Sequence, residues 1–444
     1  MNFEMHMKPP RSFPSINSKP QNNKDNINIM TNTLKSHWDY FQYNNNQSNS
    51  LQMFNSFVPS EKYFESLNQE LNNYLSVTNF NISNLKNLQE QNLTKIENFI
   101  QSNLSDNYDI KFGHYGSFFT NLNIEGSDLD ILIYYKKKKE ENDFLKDILN
   151  LLQSFNPNFY TITPILTASV PVIKLTIDIK EEIKDLKLKN KSYLDEDDLT
   201  KIKIDLTFTE SEKEFQSSKD TVDYIKNSVV EYPQIKSMLQ ILKRYFKIMG
   251  MNKSYTGGLC SYSLFLLVLS FCKCNKQCLS PTKLLYYFME NFTYFDYCNY
   301  CIDVKSDNCY ILKDKEKGDL NIEKSVSEEN SSFDTNYDLY EKEEIFIIDP
   351  ISNMNVSKSS FRVDEIILTF RKGFNLLYYE GWRYDFYKAN NKDNETNNIC
   401  NNDNNDIIGT VKEFCDEDDA LNYMTIKKLF NLQVFMNNYD FYFN

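Results

Sequence analysis

The chain has 444 residues, a formal net charge of −13, 41% hydrophobic and 15% aromatic residues, and only 10 glycines and 11 prolines. That length allows about two or three domains with an ample core, and the acidity excludes a protein that attracts polyanions by its overall charge. Residues 1–57 are polar and Asn-rich, with no apolar stretch like that of a secretory signal, and the longest apolar run, 264–272, is too short to span a bilayer. The expectation is a soluble intracellular protein of nucleus or cytoplasm, with no membrane partner and with reduced cysteines.

In chain order, residues 1–57 read as a disordered tail. Apolar residues recur at helical spacing over 60–78 (Phe64, Leu67, Leu71, Leu75) and over 82–104 (Leu85, Leu88, Leu93, Ile96, Ile100), which predicts two helices. Residues 109–115 predict a strand entering the Gly116-Ser117 turn. A second strand, 128–135, carries Asp128 and Asp130 on one face, because strand side chains alternate. The Lys136–Lys139 run that follows fits either a solvated hairpin or an RNA-guiding patch, and 142–152 predicts a helix. Residues 159–166 and 170–179 are β-rich. The charged stretch 180–199 is expected to be a solvated hairpin or loop.

Lys201 to Phe208 alternates as a strand that includes Asp205. From about residue 221 the pattern is helical, with helices predicted over 235–250, 259–274 and 281–291. Pro233 suits a helix start and Gly250 a helix end. Residues 305–342 are acidic and read as disordered. A strand over 344–348, a helix over 360–377, a polar gap at 390–406 and a helix near 420–436 complete the chain. Cys274 with Cys278, and Cys298 with Cys301, are spaced as zinc ligands can be, but an apolar helix end and an aromatic stretch are contexts for buried thiols. His114 has no partner for catalysis in the sequence and reads as structural.

Three carboxylates, Asp128, Asp130 and Asp205, fall on strands that can neighbour one another in one sheet. The Gly116-Ser117 turn offers backbone N–H groups to phosphate oxygens. Oxygen-only ligands suit magnesium bridged to nucleotide phosphates, and two such ions could clamp both ends of an in-line phosphoryl transfer.

From Lys111 to Leu377 these elements resemble the polymerase β-like nucleotidyltransferases, and within them the noncanonical poly(A) polymerases and terminal uridylyltransferases. Gly116-Ser117, Asp128-Leu129-Asp130 and Ile204-Asp205 match the family signature in order, and Ala168 to Lys174 is similar to the strand before the third carboxylate. Lys243, Lys247 and the run Gly257 to Ser263 resemble the family's nucleotide grip, and Ile348 to Phe361 resembles its base-recognition motif.

The resemblance implies an α+β fold with a polymerase β-like nucleotidyltransferase domain of mixed sheet and helices, a mainly helical central domain, and an active site in the cleft between them. Residues 58–104 would pack with the central domain. The catalytic domain would run over 105–215 and the central domain, with its poly(A)-polymerase-associated part, over 216–385. Residues 386–444 would form a linker and a last helix.

The implied metal ligands and catalytic residues are Asp128, Asp130 and Asp205, with two Mg2+ or Mn2+ ions. The implied nucleotide contacts are Gly116, Ser117, Lys243, Lys247, Ser261, Tyr262, Asp349 and Met354. Met354 stands where uridylating members often carry histidine, which favours adenylate over uridylate. The asparagine that contacts the sugar in the family has no counterpart over Phe215–Lys219.

The implied substrates are a nucleoside triphosphate, ATP or UTP, and an RNA 3′ end. No RNA-recognition module is evident, so a protein partner is expected to supply RNA binding. Synthesis of 2′–5′ oligoadenylate, nucleotide transfer to a protein, and a catalytically silent scaffold of an RNA-processing complex remain alternatives.

Overall fold

The first helix, α1, runs unbroken over Glu61–Leu104, where the apolar spacing predicts two helices. The gap in the apolar pattern at Asn79–Asn81 is a polar contact, not an end. Asn81 is fully buried, and its amide donates to Glu125 Oε1 and to the Lys189 carbonyl at 3.2 and 2.9 Å. No glycine or proline interrupts the segment, so nothing stops the helix. The chain is seen in a computed structural model that describes residues 58–155, 160–166, 170–189, 194–275, 279–307, 309–313, 344–396 and 425–430. The expected tail at 1–57, residues 314–342 of the acidic segment, and 397–406 of the polar gap lie outside them.

Next come β1 (Tyr108–Tyr115), the short α2 (Gly116–Phe119), β2 (Leu129–Lys137), α3 (Phe144–Phe155), β3 (Tyr160–Ile165), β4 (Val172–Asp178), α4 (Glu196–Thr200) and β5 (Lys201–Thr209). The five strands form one sheet in the order β1-β2-β5-β4-β3, in which β2 and β5 run parallel and the other pairs antiparallel. Period-two alternation sends Leu129, Ile131 and Ile133, Ile202, Ile204 and Leu206, and Ile173, Leu175 and Ile177 to one face. That face shares a core with Leu93, Ile96 and Ile100 of α1 and Phe144, Ile148 and Leu152 of α3. Asp130, Asp205 and Lys174 alternate with these residues, on the opposite face.

Among the described residues of the charged stretch 180–199, 180–189 form the expected loop with exposed charged side chains, but the stretch is tied down and ends in α4. Ile183, Leu186, Leu188 and Leu194 pack on the core, and Asp198 is 2% exposed. Four apolar side chains at irregular spacing are enough to draw it down, and long-range ion pairs neutralise Asp198.

α5 (Glu212–Glu231) begins before the expected helical region, because the Ser211 side chain caps it by accepting from the Glu214 N–H at 3.2 Å. α6 (Gln234–Ile248) follows Pro233, and Gly250 past its end has φ +67°. α7 (Ser261–Cys274) and α8 (Pro281–Thr293) come next, then β6 (Tyr300–Asp303), β7 (Tyr310–Leu312) and β8 (Ile347–Ile348), which make a second sheet in the order β7-β6-β8. Residues 305–307 and 309–312, expected to be disordered, thus supply a turn and a strand. α9 (Val363–Thr396) extends well past the expected end at 377 and through residues 390–396 of the expected polar gap. α10 spans Thr425–Phe430.

Two units divide the described residues. One holds residues to Leu67, Met289–Asp296 and those from Phe370 onward. Within it the Tyr63 hydroxyl donates to the Leu377 carbonyl at 3.1 Å, and Lys428 pairs with Glu380 at 2.7 Å. The other, Asn68–Phe288 with Tyr297–Thr369, holds the five-stranded sheet and every candidate site residue. Among the described residues no helix is long and apolar enough to cross a membrane.

Candidate active site

Strand register builds the site. Tyr115 of β1 pairs with Asp130 of β2, Asp130 with Asp205 of β5, and Asp205 with Lys174 of β4, so four polar side chains form one row across the sheet. Placing two carboxylates on directly paired positions is destabilising, and the row sits on the face away from the apolar core. Asp128 lies one residue before β2. Burial, then the charges of Asp128 and Asp205, push the Asp130 carboxyl up to about 7. Burial and Asp205 likewise raise Asp128. Lys174 forms an ion pair with Asp205; burial works against its charge, but Asp205 holds it above the ordinary lysine value.

Gly116 explains how Asp130 fits. Its φ is +77°, and a Cβ there would stand 1.9 Å from Asp130 Oδ2. Only glycine allows the turn backbone to lie against this carboxylate. The Ser117 carbonyl accepts from Leu122 N–H at 2.9 Å, which closes the turn.

α6 supplies the cations. It is buried on nearly every side, yet carries Gln240, Lys243, Arg244 and Lys247 along one stripe at i, i+3, i+4 and i+7. This stripe docks on the loop leading to Asp128. Gln240 Nε2 donates to the Asn123 carbonyl at 3.2 Å, Lys243 Nζ to the Leu122 carbonyl at 3.1 Å, and Arg244 Nη2 to the Glu125 carbonyl at 3.2 Å. Lys243 is buried and faces Asp130 and Asp128. Burial lowers its ammonium to about 8, against the pull of the two carboxylates.

Lys247 is placed differently, paired with Asp198. Arg244 joins the same group, at 2.7 Å to Asp198 Oδ2 and 3.1 Å to Glu125 Oε2, with all three of these side chains 1% exposed. Burial alone would raise Asp198, but Lys247 and Arg244 hold it below the usual carboxylate range.

The residues expected on the base side lie at α7 and at the loop after β8. Tyr262 is half-buried, and its hydroxyl donates to Asp349 Oδ1 at 2.8 Å. Asp349 also accepts from Ile351 N–H, Ser352 N–H and Ser352 Oγ at 3.1, 3.3 and 2.6 Å, so it both shapes the loop and holds the tyrosine. The Met354 side chain is exposed, on a residue whose carbonyl accepts from Asp349 N–H at 2.8 Å. Ser261 is exposed at the start of α7. Phe215 is a buried α5 residue. His114 bonds Glu97 at 2.6 Å and stacks on Phe119, a structural arrangement.

Reasoning from sequence did not find Asp198, Glu125, Arg244 or Lys174. Arg244 carried a usable signal: an arginine on a helix made apolar by Ile241, Leu242, Tyr245 and Phe246 must find a carboxylate if buried. Asp198 carried none, since it stands in an acidic run that reads as solvated.

Among the described residues no group of three or more His, Cys, Asp or Glu side chains is arranged to hold a metal ion as it stands. The donor chemistry of Asp128, Asp130 and Asp205 nonetheless fits a hard divalent cation. Asp205 lies close enough to help raise both Asp128 and Asp130, and Lys174 supplies the positive charge that Asp205 would otherwise share with an ion.

Residues 67–212 match a family described as the central palm domain of mitochondrial-like poly(A) RNA polymerase. Over 202 residues the chain is 29% identical to the inactive non-canonical poly(A) RNA polymerase protein Trf4-2 of Drosophila melanogaster, covering 43% of each chain. Over 284 residues it is 25% identical to poly(A) RNA polymerase cid14 of Schizosaccharomyces pombe, covering 61% of this chain and 35% of that one. The matched stretches therefore span less than half the length of these relatives. The chain is also similar to the polymerase core of TRAMP, an RNA surveillance complex, at 19% identity over 67% of this chain and 81% of that one, with a TM-score of 0.46. A Cid1 poly(U) polymerase structure is 15% identical over 71% and 94%, with a TM-score of 0.48.

Proposed function

We propose that this chain, a family-level match to the noncanonical poly(A) RNA polymerases of the polymerase β-like superfamily, is a template-independent nucleotidyltransferase that extends RNA 3′ ends. The observation that carries the reading is the Asp130–Asp205 pairing, flanked by Asp128 and faced by the buried Lys243. A sheet gains no stability from like charges at paired positions, so the arrangement is explained by a ligand that needs them.

Asp128, Asp130 and Asp205 would hold magnesium. When bound, such ions offset phosphate charge and make a hydroxyl a better nucleophile. The chain's own residues do the positioning. Lys243 and Lys247 hold triphosphate oxygens together with Ser117 and Ser261, and the Gly116 turn keeps the backbone close to them. Tyr262, fixed by Asp349, presents its ring to the base, since a flat ring accepts any base face. The RNA 3′-hydroxyl gives up its proton to solvent as its oxygen bonds to the α-phosphorus, and the bond from the α-phosphorus to the bridging oxygen of the β-phosphate breaks, releasing pyrophosphate. Catalysis is then mostly a matter of orientation and charge.

The exposed Met354 in the base-side loop favours adenylate as the nucleotide added. With a net charge of −13, RNA capture is assigned to a protein partner, and the setting to a soluble intracellular one.

The test is incubation of purified protein with labelled RNA, Mg2+ and each of the four nucleotides in turn. Extension with ATP, greatest among the four and lost in the Asp128→Ala/Asp130→Ala variant with its melting temperature retained, is the expected result. Undiminished extension by that variant overturns the mechanism, and preference for UTP overturns the base assignment.

A further inference from the structure

Asp198 has a position that its place in a charged insertion does not explain. It sits in α4, 49 residues before Lys247, yet its Oδ1 accepts from Lys247 Nζ and its Oδ2 from Arg244 Nη1 at 2.7 Å. It also packs on the turn that leads to the carboxylates. Gly126 has φ +73°, and a Cβ there would stand 2.1 Å from Asp198 Oδ1. One side chain thus touches the backbone two residues before Asp128 and the helix bearing both lysines. The Lys247 ammonium, besides its pair with Asp198, lies within electrostatic reach of Asp128. A 26%-exposed lysine at that point, held at its tip by Asp198, keeps two N–H donors for another acceptor.

We infer that Asp198 is a positioning residue, fixing the Lys247 ammonium where a nucleotide triphosphate meets the carboxylates. This inference rests on the nucleotidyltransferase reading above. Lysine has a flexible four-carbon stem and loses much rotamer freedom when it is immobilised. The Asp198 contact imposes that loss on folding, before nucleotide arrives, so less is lost on binding. Arg244 has a separate task. With Glu125 it compensates the remaining charge of the buried group and anchors the loop at the Glu125 carbonyl.

The role predicts coupling between two residues for one ligand. Affinity for a non-hydrolysable ATP analogue with Mg2+ is measured by calorimetry on the full chain as wild type, Asp198→Asn, Lys247→Met and the double variant, each with its melting temperature. Each single change is expected to weaken binding about tenfold, equivalent to about 1.4 kcal/mol, and the double variant no further than Lys247→Met alone. Losses that multiply to about a hundredfold, or wild-type affinity in Asp198→Asn, overturn the inference. A merely structural Asp198 would lower the melting temperature and give independent losses.

Asp198→Glu provides a second variant should the asparagine not fold. It keeps Arg244 compensated while moving the oxygen that holds Lys247, and is expected to bind several-fold more weakly; wild-type affinity there also overturns the inference. Wild-type protein that binds no nucleotide overturns both readings. Coupled losses in a protein that extends no RNA support the inference and overturn RNA extension alone.

Discussion

Replacing Arg244 with methionine tests whether the buried charge group holds the site together. The guanidinium is 1% exposed and meets Asp198 at 2.7 Å, Glu125 Oε2 at 3.1 Å and the Glu125 carbonyl at 3.2 Å. Removing one partner from a buried ionic group costs about 3–5 kcal/mol, because the others stay buried without compensation. Here Asp198 keeps Lys247 and Glu125 keeps the Asn81 amide, so the lower end, about 3 kcal/mol, is expected. For a unit of this size that lowers the melting temperature by about 6–12 °C.

The pH dependence has a definite sign. In the wild type Asp198 titrates below its ordinary value, so its contribution is present above the unfolded pKa and lost as pH falls through the folded one. In Arg244→Met, Asp198 loses one of the two cations that hold it down and takes up a proton more readily. The deficit should therefore narrow as pH falls from about 7 to about 4. Replacing the whole group, Arg244→Met with Glu125→Gln and Asp198→Asn, should recover most of the loss, since Lys247 can turn to solvent and Arg244 Nε already lacks an acceptor. Melting curves of the three proteins across pH provide the assay. A loss under about 1 kcal/mol in Arg244→Met, or a triple variant no better than the single, refutes the reasoning.

Gly116→Ala forces a Cβ to within 1.9 Å of Asp130 Oδ2 at a φ of +77°. Backbone strain of about 1–2 kcal/mol should lower the melting temperature modestly. Displacement of the carboxylate should slow RNA extension on the order of a hundredfold, and a wild-type extension rate would count against the site. Tyr262→Phe removes the bond to Asp349 but leaves that carboxylate three other donors, so it should cost about 1 kcal/mol of nucleotide affinity. Tyr262→Ala should cost about 1–3 kcal/mol more through lost stacking, and equal losses from the two variants in a binding titration would show that the ring does not face the base.

Much of the candidate site was legible because it is local. Asp128 and Asp130 stand one residue apart, Gly116-Ser117 precedes them closely, and strand periodicity places Asp205 and Asp130 opposite the apolar face whatever the rest of the chain does. Helix ends were legible where a single residue decides them, as at Pro233 and Gly250. Two of the missed readings have a shared cause. Asn81 inside α1 and Asp198 in the 180–199 stretch are polar residues on buried faces, and a polar residue reads as solvent-facing until its partner is known.

By itself, then, the sequence determined the local features of the candidate site: carboxylates on strand faces, a glycine-serine turn and a lysine-bearing helix, each set by short-range spacing. Only the tertiary structure decided how the charges are shared. It gave Lys174 to Asp205, Lys243 to the Leu122 carbonyl, and Lys247 to Asp198. The physical reason is range. Periodicity fixes which face a side chain takes, but the partner of a buried charge is whichever opposite charge the packing brings within about 3 Å, and for Arg244 that was a residue 46 positions away.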